Sequence, residues 1–87
     1  MKLIIAIVRD QVQDDISQVL TASGFRVTEV ASTGGFLKRG MTTLLVGVDD
    51  DKMEDALILI RSKCPPSEEG VHSAVVFVLK VADFTHF

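Results

Sequence analysis

Residues 3–8 read LIIAIV, an apolar run that ends abruptly at Arg9 and Asp10. Its length and its Ile/Val content predict a buried strand rather than a helix. Beyond it, Val12, Ile16, Val19 and Leu20 recur at i, i+4, i+7 and i+8, which draws one apolar stripe down a helix over 11–23. Asp10 followed by Gln13 resembles a capping box, and Gly24 stands where a helix would end. Residues 25–31 alternate: Phe25, Val27 and Ala31 share one parity, Arg26, Thr28 and Val30 the other, as in a strand. Ser32, Thr33, Gly34 and Gly35 form a loop signal, and residues 36–41 show no clear period. Residues 42–48 (TTLLVGV) predict a further strand, with Gly47 marking a bulge or the close approach of another group. Asp49, Asp50 and Asp51 precede Met53, Ala56, Leu57 and Ile60, again at helical spacing, and acids at that end suit the helix dipole. Pro65 and Pro66 stop this second helix, and residues 74–81 (AVVFVLKV) predict the last strand.

The predicted order is β-α-β-β-α-β within one domain over residues 1–87. In a chain this short, that order implies an α+β fold of the ferredoxin-like, split-βαβ kind: an antiparallel sheet with two helices on one face. The helices can shield only that face. Yet LIIAIV and AVVFVLKV are apolar at both parities, so both faces of the sheet call for burial. An uncovered apolar face marks an interaction surface, and the pattern predicts a homo-oligomer that buries it.

Composition narrows the function. The chain has 87 residues, 47% of them hydrophobic and 24% charged, which excludes intrinsic disorder. The net charge of −3 argues against nonspecific binding of nucleic-acid polymers, because that affinity comes from Lys and Arg neutralising phosphates. An anionic ligand would need a local site. Cys64 is alone, so no disulfide or Cys-rich metal cluster forms within the chain, which fits a reducing, cytoplasmic setting. The apolar runs are too short for a signal-peptide core or a membrane span, so no membrane insertion is expected. His72 and His86 stand apart from each other and from Cys64, and no metal site or cofactor is expected. No nucleophile-elbow, Walker A or dinucleotide-binding glycine motif is present. Asp49–Asp51 reads as a solvated helix start, and Cys64 as a packing residue.

The densest candidate chemistry runs from Ser32 to Thr43 (STGGFLKRGMTT). Paired glycines can turn successive amide N–H groups toward one anion. Phe36 and Leu37 directly after them put a large apolar surface where a turn is normally polar, suited to covering a flat ring. Arg26 and Thr28 share one side of the preceding strand. Amide donors, a guanidinium, a hydroxyl and an aromatic face together suit a nucleotide. The plainer alternative is an ordinary hairpin loop whose Phe36 plugs the core or an oligomer interface.

The opening MKLIIAIV, the central Thr33-Gly34-Gly35-Phe36-Leu37 with Gly40 and Thr42-Thr43, and the end Val76-Phe77-Val78 with Phe84 and Phe87 resemble the PII-like cyclic-di-AMP receptor family of bacterial signalling proteins. The resemblance implies a ferredoxin-like subunit, a PII-like homotrimer, no catalysis, and cyclic-di-AMP or a related adenine nucleotide bound at subunit interfaces and relayed to a downstream protein. It places Arg26 and Thr28 at the ligand, Gly35, Phe36 and Leu37 in the loop that wraps it, and Gly47 beside it. Two departures stand out. Met41 occupies a position where the family usually has an asparagine to read an adenine edge, and its sulfur is only a weak acceptor. Only residues 65–73 join the second helix to the last strand, where the family has a long loop. These departures define the rival reading, a trimeric scaffold or interaction protein that has lost nucleotide binding. A third reading, a small acylphosphatase-type hydrolase, would need a water-positioning amide; the chain has no Asn, and its Gln residues are Gln11, Gln13 and Gln18.

Overall fold

Two helices pack on one face of a four-stranded antiparallel sheet in the computed structural model, which describes residues 1–30, 40–65, 74–85 and 87. The elements are β1 (Lys2–Arg9), α1 (Asp10–Ala22), β2 (Arg26–Val30), β3 (Met41–Val48), α2 (Met53–Ser62) and β4 (Ala74–Lys80), with a single 3-10 turn at Asp50–Lys52. The sheet order is β2-β3-β1-β4. This is the ferredoxin-like α+β arrangement, and the expected element order holds to within a residue or two at each end.

Parity decides the layers. Ile4, Ala6 and Val8 of β1 pair with Val46, Leu44 and Thr42 of β3, and these positions face the helices. Ile16 and Leu20 of α1 and Ala56 and Ile60 of α2 close the same core. The opposite parity forms the other face: Leu3, Ile5 and Ile7 of β1, with Leu79, Phe77 and Val75 of β4 directly opposite them. Leu45 of β3 and Val30 of β2 extend that apolar surface. Phe77 is 52% exposed there. The predicted uncovered apolar face is therefore present. The helices also fall short of β4 on their own side: Val78 pairs with core residue Ile4 yet is 40% exposed.

Local signals hold unevenly. Gly24 ends α1 as expected, with φ +91° and its N–H donating to the Thr21 carbonyl at 3.0 Å. The capping box does not form. Arg9 is the N-cap, without a side-chain cap bond, and Asp10 is already helical. The Asp10 carboxylate instead accepts a 2.6 Å hydrogen bond from the Thr42 hydroxyl, while the Asp10 N–H donates to the Gly40 carbonyl at 2.9 Å. Gln13 is spent on Ser17 and Glu29. Gly47 is not a bulge, because the β3 register runs unbroken through it to Leu3 on one side and Arg26 on the other.

Candidate functional site

The α1–β2 junction positions the first site residue. The Phe25 N–H donates to the Leu20 carbonyl at 3.0 Å, so the chain reverses tightly and starts β2 at Arg26. Val27 pairs with Val46 on the helix side, which sends Arg26 and Thr28 to the uncovered face. There Arg26 lies directly opposite Gly47, and Thr28 opposite Leu45. The sequence-predicted trio of Arg26, Thr28 and Gly47 thus shares one face of the sheet, with Arg26 and Gly47 at its end and Thr28 at mid-strand. Gly35, Phe36 and Leu37 lie outside the described residues.

Gly47 is informative for what it does not need. Its φ is not positive. A Cβ built on it would meet the Met1 Cε at 3.6 Å, an ordinary contact. Neither backbone strain nor packing within the subunit demands glycine here. The missing side chain leaves room beside the Arg26 guanidinium for another group to approach the strand. Around this end of the sheet lies a groove of about 610 Å³, lined by Gly24, Arg26 and Gly47, by Lys52 of the 3-10 turn, and by Asp55 and Ile58 of α2. Sequence reasoning missed the last three. Their helical spacing was visible, but nothing in it said which end of the sheet α2 would meet.

Met41 sits elsewhere. It opens β3 opposite Arg9, half-buried, at the far end of the strand from Gly47. Six residues at about 3.3 Å each separate the two by roughly 20 Å. Between them stands Thr43, which was singled out only as part of a motif. It is on the uncovered face opposite Ile7 and Val30, is only 9% exposed, and its hydroxyl has no hydrogen-bond partner among the described residues.

Asp50 and Cys64 have structural explanations. The Met1 ammonium meets the Asp50 carboxylate at 3.0 Å, and that hydrogen bond holds Asp50 below the usual carboxylate range despite opposing desolvation. Burial pushes the Cys64 thiol up, and its Sγ donates to the Ile60 carbonyl at 3.4 Å, as expected of a packing residue. No group of three or more His, Cys, Asp or Glu side chains among the described residues is placed to hold a metal ion. No helix among them is long and apolar enough to cross a membrane.

Sheet order, helix placement and the bare apolar face define a ferredoxin-like α+β subunit. Over residues 1–69 the chain matches the family model of the cyclic-di-AMP receptors, and it belongs to that family. Its fold is also similar to the crystal structure of a functionally unknown protein from Pediococcus pentosaceus. The two are 30% identical, with a TM-score of 0.79 over 99% of this chain and 96% of that one.

Proposed function

We propose that this chain is a non-catalytic PII-like signal receptor of the cytoplasm, binding cyclic-di-AMP or a related adenine nucleotide between the subunits of a homotrimer. Family membership supports the ligand class. The observation that supports the rest is the separation, along one sheet face, of Arg26 and Gly47 from Val30 and Met41, the strand ends that bracket Gly35, Phe36 and Leu37 in the chain. Arg26 and Gly47 lie at one end, with Thr28 two residues along the same face. The segment bearing Gly35, Phe36 and Leu37 leaves the sheet at Val30 and rejoins it at Met41, the other end. To cover Arg26 within one copy, that segment would have to fold back along its own sheet. A second copy seated on the apolar face brings its own segment to Arg26 directly.

In this reading Arg26 binds phosphate through a charge-assisted hydrogen bond, and Thr28 donates its hydroxyl beside it. Gly35 and Gly47 let backbone approach the ligand, while Phe36 and Leu37 cover a base. Nucleotide binding engages Gly35, Phe36 and Leu37 and presents a changed surface to a downstream protein. Calorimetry with cyclic-di-AMP tests the reading: Arg26→Ala and Gly35→Val should abolish binding while leaving particle mass and melting temperature nearly unchanged. Wild-type affinity in both variants would sink it.

The rival, a trimeric scaffold without ligand, draws on Met41, which has no hydrogen-bond donor to offer an adenine edge. Under the receptor reading, Met41→Asn tightens cyclic-di-AMP binding. Under the scaffold reading, neither wild type nor variant gives a binding isotherm.

A further inference from the structure

The groove beside Arg26 and Gly47 gathers charge from two elements that are far apart in sequence. Arg26 comes from β2, Lys52 from the 3-10 turn that leads into α2, and Asp55 from the first turn of α2. None of the three forms an ion pair among the described residues. The Met1 ammonium, which also borders the groove, is already taken by Asp50. Asp49 adds a second carboxylate at the end of β3. Lys52 and Asp55 are three apart at a helix start, so they stand on one side of it. Ile58, a further three along, lines the same groove and is 63% exposed. One concavity therefore offers two cations, two carboxylates and an apolar patch.

We infer that Lys52 and Asp55 select the ligand in the nucleotide site that Arg26 anchors. Lys52 is a second donor to phosphate, Asp55 accepts a ribose 2′-hydroxyl, and Ile58 lies against a base. This rests on the reading above, in which Arg26 holds a nucleotide phosphate. The chemistry is that of a ribonucleotide half. An ionised carboxylate only accepts hydrogen bonds, so it draws a sugar hydroxyl and repels phosphate. Arg26 and Lys52 reach the groove from different elements, as do Asp49 and Asp55, so phosphate and sugar each find partners within it. At about 610 Å³ the groove is within the roughly 300–1,000 Å³ usual for small-molecule sites. Because Asp55 reads a hydroxyl, the site favours a ribonucleotide over its 2′-deoxy counterpart.

Calorimetry on the full chain tests this with two probes, cyclic-di-AMP and its 2′-deoxy analogue. Lys52, Asp55 and Ile58 are surface residues, so the variants keep the fold, which circular dichroism verifies. Wild type should prefer the ribo form by about tenfold, the scale of one hydrogen bond to a charged group. Asp55→Asn should shrink that preference to less than about threefold. Lys52→Met should weaken both probes by about tenfold and flatten the salt dependence of binding. If Arg26→Ala abolishes binding while the Lys52 and Asp55 variants behave as wild type, the groove inference is overturned and the receptor reading stands. If Arg26→Ala binds as wild type, or wild type binds neither probe, the receptor reading fails and takes this inference with it.

Discussion

Thr43 shows how much a single hydroxyl can report. It is the second threonine of a pair, and alternation puts the two on opposite faces of β3. Thr42 finds the Asp10 carboxylate, whereas the buried Thr43 hydroxyl has no hydrogen-bond partner among the described residues. An unsatisfied buried hydroxyl costs about 1–3 kcal/mol, and valine has nearly the same shape without that cost. Thr43→Val should therefore raise the melting temperature. A fall instead would mean that a neighbouring copy satisfies the hydroxyl in the assembly. Asp50 gives a pH prediction. Its carboxyl is depressed in the folded chain, below the roughly 3.9 of an unfolded aspartate. The stability it adds is present above the unfolded value and is lost as pH falls through the folded one. Asp50→Asn should leave the melting temperature nearly unchanged at the acid extreme and lower it slightly near pH 6, where the pair is charged. The pair is solvent-exposed, so the difference should shrink in high salt.

Among the elements, the α1–β2 junction carries the greatest demand on its sequence. Gly24 adopts φ +91° with nothing within 4 Å of where a Cβ would sit, so the cost of a side chain there is backbone strain alone. Gly24→Ala should destabilise by about 1–2 kcal/mol, read from urea midpoints, and Gly24→Asn by less. Because Arg26 follows two residues later, the same change should also loosen the proposed ligand site. β1 shows the converse. It is the central strand by order, paired on both edges, and residues 3–8 are apolar at every position because one parity feeds the helix core and the other the uncovered face.

For the molecule as a whole, the uncovered face is the main fact. Eight apolar side chains from all four strands occupy it: Leu3, Ile5, Ile7, Val30, Leu45, Val75, Phe77 and Leu79. A chain of this length buries only about 60–65% of its surface when alone, so covering this face adds substantially to a small core. Phe77→Glu and Ile5→Lys should shift the protein toward monomer in light scattering, or unfold it. Phe77→Leu, which keeps the face apolar, should preserve the assembly. A 9.5 kDa particle for the wild-type chain at micromolar concentration would contradict the packing argument.

The elements and their faces were legible in the chain because hydrophobic periodicity is local and each strand repeats it several times. Gly24, Pro65 and the acids before α2 marked element ends for reasons that act within a few residues. The pairing of Arg26 with Gly47 was not legible. Both were singled out separately, but their opposition depends on the β2–β3 register, which pairs residues 21 positions apart. The partner of Asp10 was misread for the same reason: a local capping box competed with a hydroxyl 32 residues away, and the sheet brought the hydroxyl within 2.6 Å. Lys52 and Asp55 became groove residues only once α2 docked beside the α1–β2 junction. Sequence alone sets which side of its own element a residue takes, because that follows from backbone geometry. Which residues of other elements it meets follows from register and docking, and those are settled when the separate apolar faces are buried together.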